Sequence, residues 1–70
     1  MIKINLDRVM LERKITSKAL AEQIGITQVN LSILKTGKAR GIRFATLEKI
    51  CQTLNCQPGD ILEYEEETDI

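Results

Sequence analysis

The sequence has no histidine and no tryptophan, and it has only one proline, one phenylalanine, one tyrosine and two cysteines. Each shortage excludes something. Without histidine the chain lacks the side chain that most readily moves protons or binds metal near neutral pH. Neither cysteine has a base beside it in the pattern to activate a nucleophile, and no glycine-rich phosphate cradle follows a strand-like run. Seventy residues of helix-forming sequence leave little room for a concave pocket. The expectation is a protein that is not an enzyme, with no cofactor, no metal and no evident small-molecule ligand. Cys51 and Cys56 match no common zinc spacing, and Cys51 falls on an apolar helical stripe, so both read as free thiols, with Cys51 buried. A redox or metal role needs a partner ligand that the sequence lacks. Two aromatic rings are too few for the stacking that holds single-stranded nucleic acid. No apolar run approaches a membrane span, and no charged-then-apolar leader opens the chain, so a membrane partner is not expected and a cytoplasmic location is.

What is present is aliphatic and charged. A chain of this length forms one domain, and 43% hydrophobic residues, mostly Ile, Leu, Val and Ala, supply a small core. Without disulfides or metal it needs dense helical packing or a partner subunit. The net charge is zero, but its distribution is lopsided. All ten basic residues lie between Lys3 and Lys49, against five acidic ones over residues 1–62, while the last eight residues carry five acids and no base. A basic body with an acidic end is the electrostatic footprint of a polyanion binder. The division is a domain over 1–64 and an acidic tail over 65–70, the tail being mobile or lying against basic surface.

The chain is organised around Thr16–Gly37. Leu20, Ala21 and Ile24 share one helical face, Leu31 and Leu34 another, and Gly25 separates them. Gly25 is placed to end the first helix in the left-handed region. Thr16 and Thr27 are placed to cap the two helices, and Ala21 is small enough to let the second cross close over the first. Upstream, Asn5 caps a helix from Leu6 to about Arg13 that turns Leu6, Val9 and Met10 inward, with Lys14 as a cation at its negative end. Lys18 and Glu22 stand four apart as a surface pair. Downstream, Phe44, Leu47, Ile50, Cys51 and Leu54 repeat at helical period and read as core, and Asn55 ends that helix. Pro58 opens a short fifth helix, with Asp60 complementing its positive end and Ile61 and Leu62 sealing the bundle. The alternation of Ile2, Ile4 and Leu6 reads either as a short strand or as a frayed terminus. A strand there has two candidate partners, residues 61–64 or its own copy in a second subunit.

Leu20-Ala21-x-x-x-Gly25-Ile26-Thr27 followed by Leu31-Ser32-x-Leu34-x-x-Gly37 resembles the Cro/C1 (phage-repressor, XRE-like) helix-turn-helix family. Thr46-Leu47-x-x-Ile50-Cys51-x-x-Leu54 and Pro58-x-Asp60-Ile61-Leu62 resemble that family's fourth and fifth helices, so the likeness spans about four fifths of the chain. It implies an all-α, five-helix repressor-type bundle, with or without the N-terminal strand. It also implies a sequence-specific regulator of transcription, a repressor, that lays a recognition helix over about 28–35 into the major groove of double-stranded DNA. By the same resemblance Ser17, Thr27 and Gln28 fall at phosphate or base contacts, and Val29, Asn30, Ser32 and Ile33 at reading positions. The sequence departs from the family at two of these places and also at Lys35. Ser17 stands where Gln is common, Ile33 where a polar residue is common, and Lys35 where Glu is frequent.

The residue chemistry points the same way. Gln28 and Asn30 are amides able to pair with an adenine edge. Val29 and Ile33, outward and apolar, need cover from another subunit, a neighbouring segment or thymine methyls. Lys35, Lys38, Arg40 and Arg43 fall within nine residues with no acid among them, as suits phosphate contact. One module reads few base pairs, so a homodimer on two half-sites is expected, with contact through Ile2 and Ile4 or Ile61 and Tyr64. The alternative is a protein-interaction module that docks a partner on Val29 and Ile33, with the acidic tail occluding the basic face.

Overall fold

The computed structural model describes residues 1–66. Their elements follow in the order β1 (Ile2–Ile4), α1 (Leu6–Arg13), α2 (Ser17–Ile24), α3 (Gln28–Lys35), α4 (Phe44–Leu54), α5 (Pro58–Ile61) and β2 (Leu62–Tyr64). Local chemistry sets the helix ends. Thr16 Oγ1 accepts the Ala19 N–H and Thr27 Oγ1 accepts the Asn30 N–H, each at 3.1 Å, which starts α2 and α3 where the two threonines predict. Helices α1, α2 and α4 stop on left-handed residues, Lys14 (φ 57°), Gly25 (φ 77°) and Asn55 (φ 51°). In each case the next residue donates back into the last turn at 3.1 Å: Ile15 to the Met10 carbonyl, Ile26 to Ala21, Cys56 to Cys51. After α3 the left-handed residue is Gly37, and the Lys38 N–H reaches the Ile33 carbonyl. This reverse turn satisfies carbonyls that the helix leaves open.

Two local expectations, for Asn5 and for Lys18 with Glu22, are corrected, and those for Lys14 and Asp60 are met and extended. Asn5 precedes α1 but makes no side-chain cap, because its backbone (φ −104°, ψ 26°) is not extended. Its N–H instead donates to the Ile61 carbonyl at 2.7 Å and ties α1 to the end of α5. Lys14 ends α1 by its left-handed backbone. Arg13 is the cation at a helix end, donating from Nε to the Leu54 carbonyl (2.8 Å) and from Nη2 to that of Asn55 (3.3 Å), at the negative end of α4. Asp60 does more than complement a dipole, since its carboxylate accepts the Gln57 N–H at 2.9 Å. Lys18 and Glu22 do not meet; among the described residues the ion pair at this spacing is Arg8–Glu12, at 3.6 Å.

The core is one cluster of aliphatic side chains drawn from all five helices, with Leu6, Leu20, Leu31, Ile50 and Ile61 fully buried at its centre. Ala21 is buried, and its helix α2 packs against both α3 and α4. Among the described residues no polar side chain is buried, so the fold rests on apolar packing of helical stripes. Phe44 is the exception to the predicted stripe of α4. It is 87% exposed, because it is the first residue of the helix and projects beyond the bundle that covers Leu47, Ile50 and Leu54. Cys51 is half-buried rather than buried, at the edge of that stripe, and Cys56 is half-buried beside it.

The all-α expectation holds coarsely: five helices make up the fold, and the N-terminal strand it allows is present as half of a small two-stranded antiparallel sheet. β1 pairs with β2, the partner within the same chain, in the register Ile2–Tyr64, Lys3–Glu63, Ile4–Leu62. The Asn5–Ile61 hydrogen bond next to Ile4–Leu62 fixes this register, and alternation puts Ile4 and Leu62 on the core side. The Glu65 N–H extends the ladder to the Met1 carbonyl at 2.8 Å, and the Glu65 carboxylate lies 3.9 Å from Lys3 Nζ. Of the acidic tail, residues 67–70 lie outside the described residues.

Candidate nucleic-acid interface

Helix α3 is anchored on one side by Leu31 and Leu34, both buried. The 3.6-residue period then forces Gln28, Val29, Asn30, Ser32 and Ile33 outward, and all five are exposed, Val29 by 70% and Ile33 by 41%. Gln28, Val29, Ser32 and Ile33 line one shallow groove of about 360 Å³ together with Thr36 and Lys38. Thr36 is exposed, and its Oγ1 donates back to the Ser32 carbonyl at 2.8 Å. Asn30 faces the other way. It shares a second groove of about 450 Å³ with Ile33, Arg43 and the loop residues Ala39, Gly41 and Ile42. The outward face of α3 therefore has an amide on each flank, Gln28 and Asn30, with Ile33 lining both grooves.

The predicted phosphate set divides into three places. Ser17 and Lys35 come together, with Lys35 Nζ donating to Ser17 Oγ at 3.1 Å across the corner between α2 and α3. Asp7 of α1, 3.8 Å from the same Nζ, completes this group and was not singled out in the sequence. Lys35 is consequently half-buried, whereas Lys38, Arg40 and Arg43 are exposed. Lys38 and Arg43 flank α3 in its two grooves, while Arg40 lines a third groove beside Ile2, Ile4 and Leu62 of the sheet. The Thr27 hydroxyl accepts from Asn30 and keeps its own proton to donate. Among the described residues no cluster of three metal-ligating side chains forms. No helix of the described structure is long and apolar enough to cross a membrane.

Two short helices joined at a left-handed glycine, each capped by a threonine, with the second helix held from beneath and bare above, define the helix-turn-helix class. Comparison with known proteins narrows the class. A family model described as the Cro/C1-type HTH DNA-binding domain matches residues 5–67, and the chain belongs to that family. It is 56% identical over 66 residues to YozG of Bacillus subtilis, an uncharacterized HTH-type transcriptional regulator, covering 94% of this chain and 79% of the relative. A crystal structure of a candidate DNA-binding protein from Bacteroides fragilis superimposes with a TM-score of 0.81 at 25% identity, covering 90% of this chain and all of the other.

Proposed function

We propose that this member of the family is a sequence-specific transcriptional regulator that binds duplex DNA as a homodimer, with α3 in the major groove. The observation that carries the reading is the outward face of α3, exposed along its length and flanked by two amides while its other face is locked into the core. On this reading Gln28 and Asn30 pair with base edges, Val29 and Ile33 meet thymine methyls, and Ser32 hydrogen-bonds beside them. Ser17, Thr27, Lys35, Lys38, Arg40 and Arg43 hold phosphates and fix register. Repression follows by occupancy of the site, and the protein works in the cytoplasm, where it meets DNA.

Selection of bound duplexes from a random pool, with wild type and Gln28→Ala side by side, tests the proposal. The expected result is a palindrome whose half-sites lose definition at one position in the variant. No enrichment from a protein that folds by circular dichroism would defeat it. Exposure of Val29 and Ile33 favours a second reading, docking of a protein partner on the same face. Binding to mixed-sequence DNA separates the two, because phosphate contacts release counterions and weaken steeply with salt.

A further inference from the structure

Two half-buried thiols remain outside the DNA-binding reading. Cys51 occupies the last turn of α4 and Cys56 follows its left-handed terminator Asn55. The Cys56 N–H donates to the Cys51 carbonyl at 3.1 Å, the reverse turn that also closes α1 and α2. This turn usually brings together an apolar pair, one side chain from the last turn and one just past the end. In α1 that pair is Met10 and Ile15, and in α2 it is Ala21 and Ile26, all packed in or against the core. In α4 both places are cysteine. Both thiols line one groove of about 540 Å³, with Phe44, Glu48 and Pro58 on its walls, so solvent-borne reagents reach them.

We propose that Cys51 and Cys56 are a reversible dithiol–disulfide pair, closed intramolecularly by a small-molecule disulfide such as oxidised glutathione. The partner that each cysteine lacked in the sequence is the other cysteine. The backbone hydrogen bond holds the two α-carbons near the separation of about 4.4–6.8 Å that a disulfide spans. In the first step one protein thiolate attacks a sulfur of the reagent and expels one small thiolate, leaving a mixed disulfide. The second protein thiolate then attacks the protein-bound sulfur and expels the other small thiolate. The protein loses two protons and two electrons, and the reagent is reduced to two thiols. Burial pushes the Cys56 thiol above its ordinary value, and the Cys51 thiol beside it, by charge and by a hydrogen bond, pushes it the same way. Cys56 therefore suits the resolving role better than that of first nucleophile.

The test equilibrates the whole chain across a series of reduced and oxidised glutathione ratios, quenches it with an alkylating reagent, and weighs the peptides after tryptic cleavage. Lys49 is the last basic residue, so both cysteines fall in the single peptide 50–70. The expected product is that peptide two hydrogens lighter and closed to alkylation, formed in one two-electron transition by a chain that stays free of intermolecular disulfides. Cys56→Ser, which removes the resolving thiol, should instead hold a stable mixed disulfide at Cys51. Repetition in guanidinium separates folded geometry from mere nearness in sequence. The folded chain should favour closure by about tenfold or more over the denatured one. Equal or weaker closure in the folded chain, two mixed disulfides per chain, or covalent dimers would each overturn the proposal.

Discussion

At the scale of single residues, two backbone and side-chain positions decide how the corner of the module works. Gly25 holds φ 77° with open space where a Cβ would lie, so replacing it costs only backbone strain. Gly25→Ala should therefore lose about 1 kcal/mol in denaturant unfolding, whereas Gly41→Ala, in equally open space without a positive φ, should be neutral or slightly stabilising. A similar loss at both positions would mean that the left-handed turn is not what the glycine supplies. Lys35 presents a contest between partners. Asp7 is an exposed carboxylate, so its pair with Lys35 contributes at most about 1 kcal/mol to stability, but it holds the ammonium that is proposed to meet phosphate. Asp7→Asn should raise affinity for mixed-sequence duplex at low salt and steepen the salt dependence, by up to about one unit in the log–log slope. An unchanged slope would remove Lys35 from the phosphate set. Sequence alone displayed Gly25, whose side-chain absence is itself the signal. It hid the Asp7 contact, because α1 meets the corner only through tertiary packing.

At the scale of elements, α3 and the loop that follows it divide the labour between reading and anchoring. Leu31 and Leu34 tie the helix down, and the loop carries its cations on both flanks, Lys38 in one groove and Arg43 in the other. Lys38→Ala and Arg43→Ala should each weaken binding across all sequences and lower the salt slope by about 0.9 per lost phosphate contact, without altering the selected site. A variant that changes the preferred site instead would transfer that residue to base reading. The helical stripes were legible in advance because burial repeats with the helical period. Phe44 fits the same period and is nevertheless exposed, since periodicity says which face a residue occupies and not whether another element reaches over that end.

At the scale of the whole molecule, the sheet decides which surfaces remain for a second copy. Ile61 is buried and Ile4 is packed against the core, so neither serves as the outward contact that their sequence position allowed. Ile2 and Tyr64, paired across the sheet and 61% and 71% exposed, are the residues left for that role. Sedimentation at micromolar concentration should show a dimer, and Ile2→Lys should shift it to monomer, keep its helical circular dichroism and weaken binding to a palindrome more than to a half-site. A wild-type monomer with and without a palindromic site would remove the homodimer from the proposed mechanism.

The sequence by itself determined the five helices, their caps at Thr16 and Thr27, their stops at Gly25 and Asn55, and the aliphatic core, because each rests on hydrogen bonds or periodicity within a few residues. Tertiary structure alone decided the pairing of β1 with β2, the exposure of Phe44, the reach of Arg13 to the end of α4, and the meeting of Asp7, Ser17 and Lys35. Those features join residues far apart in the chain. Which distant partners meet is set by how the helical stripes pack into one core, and no local pattern encodes it.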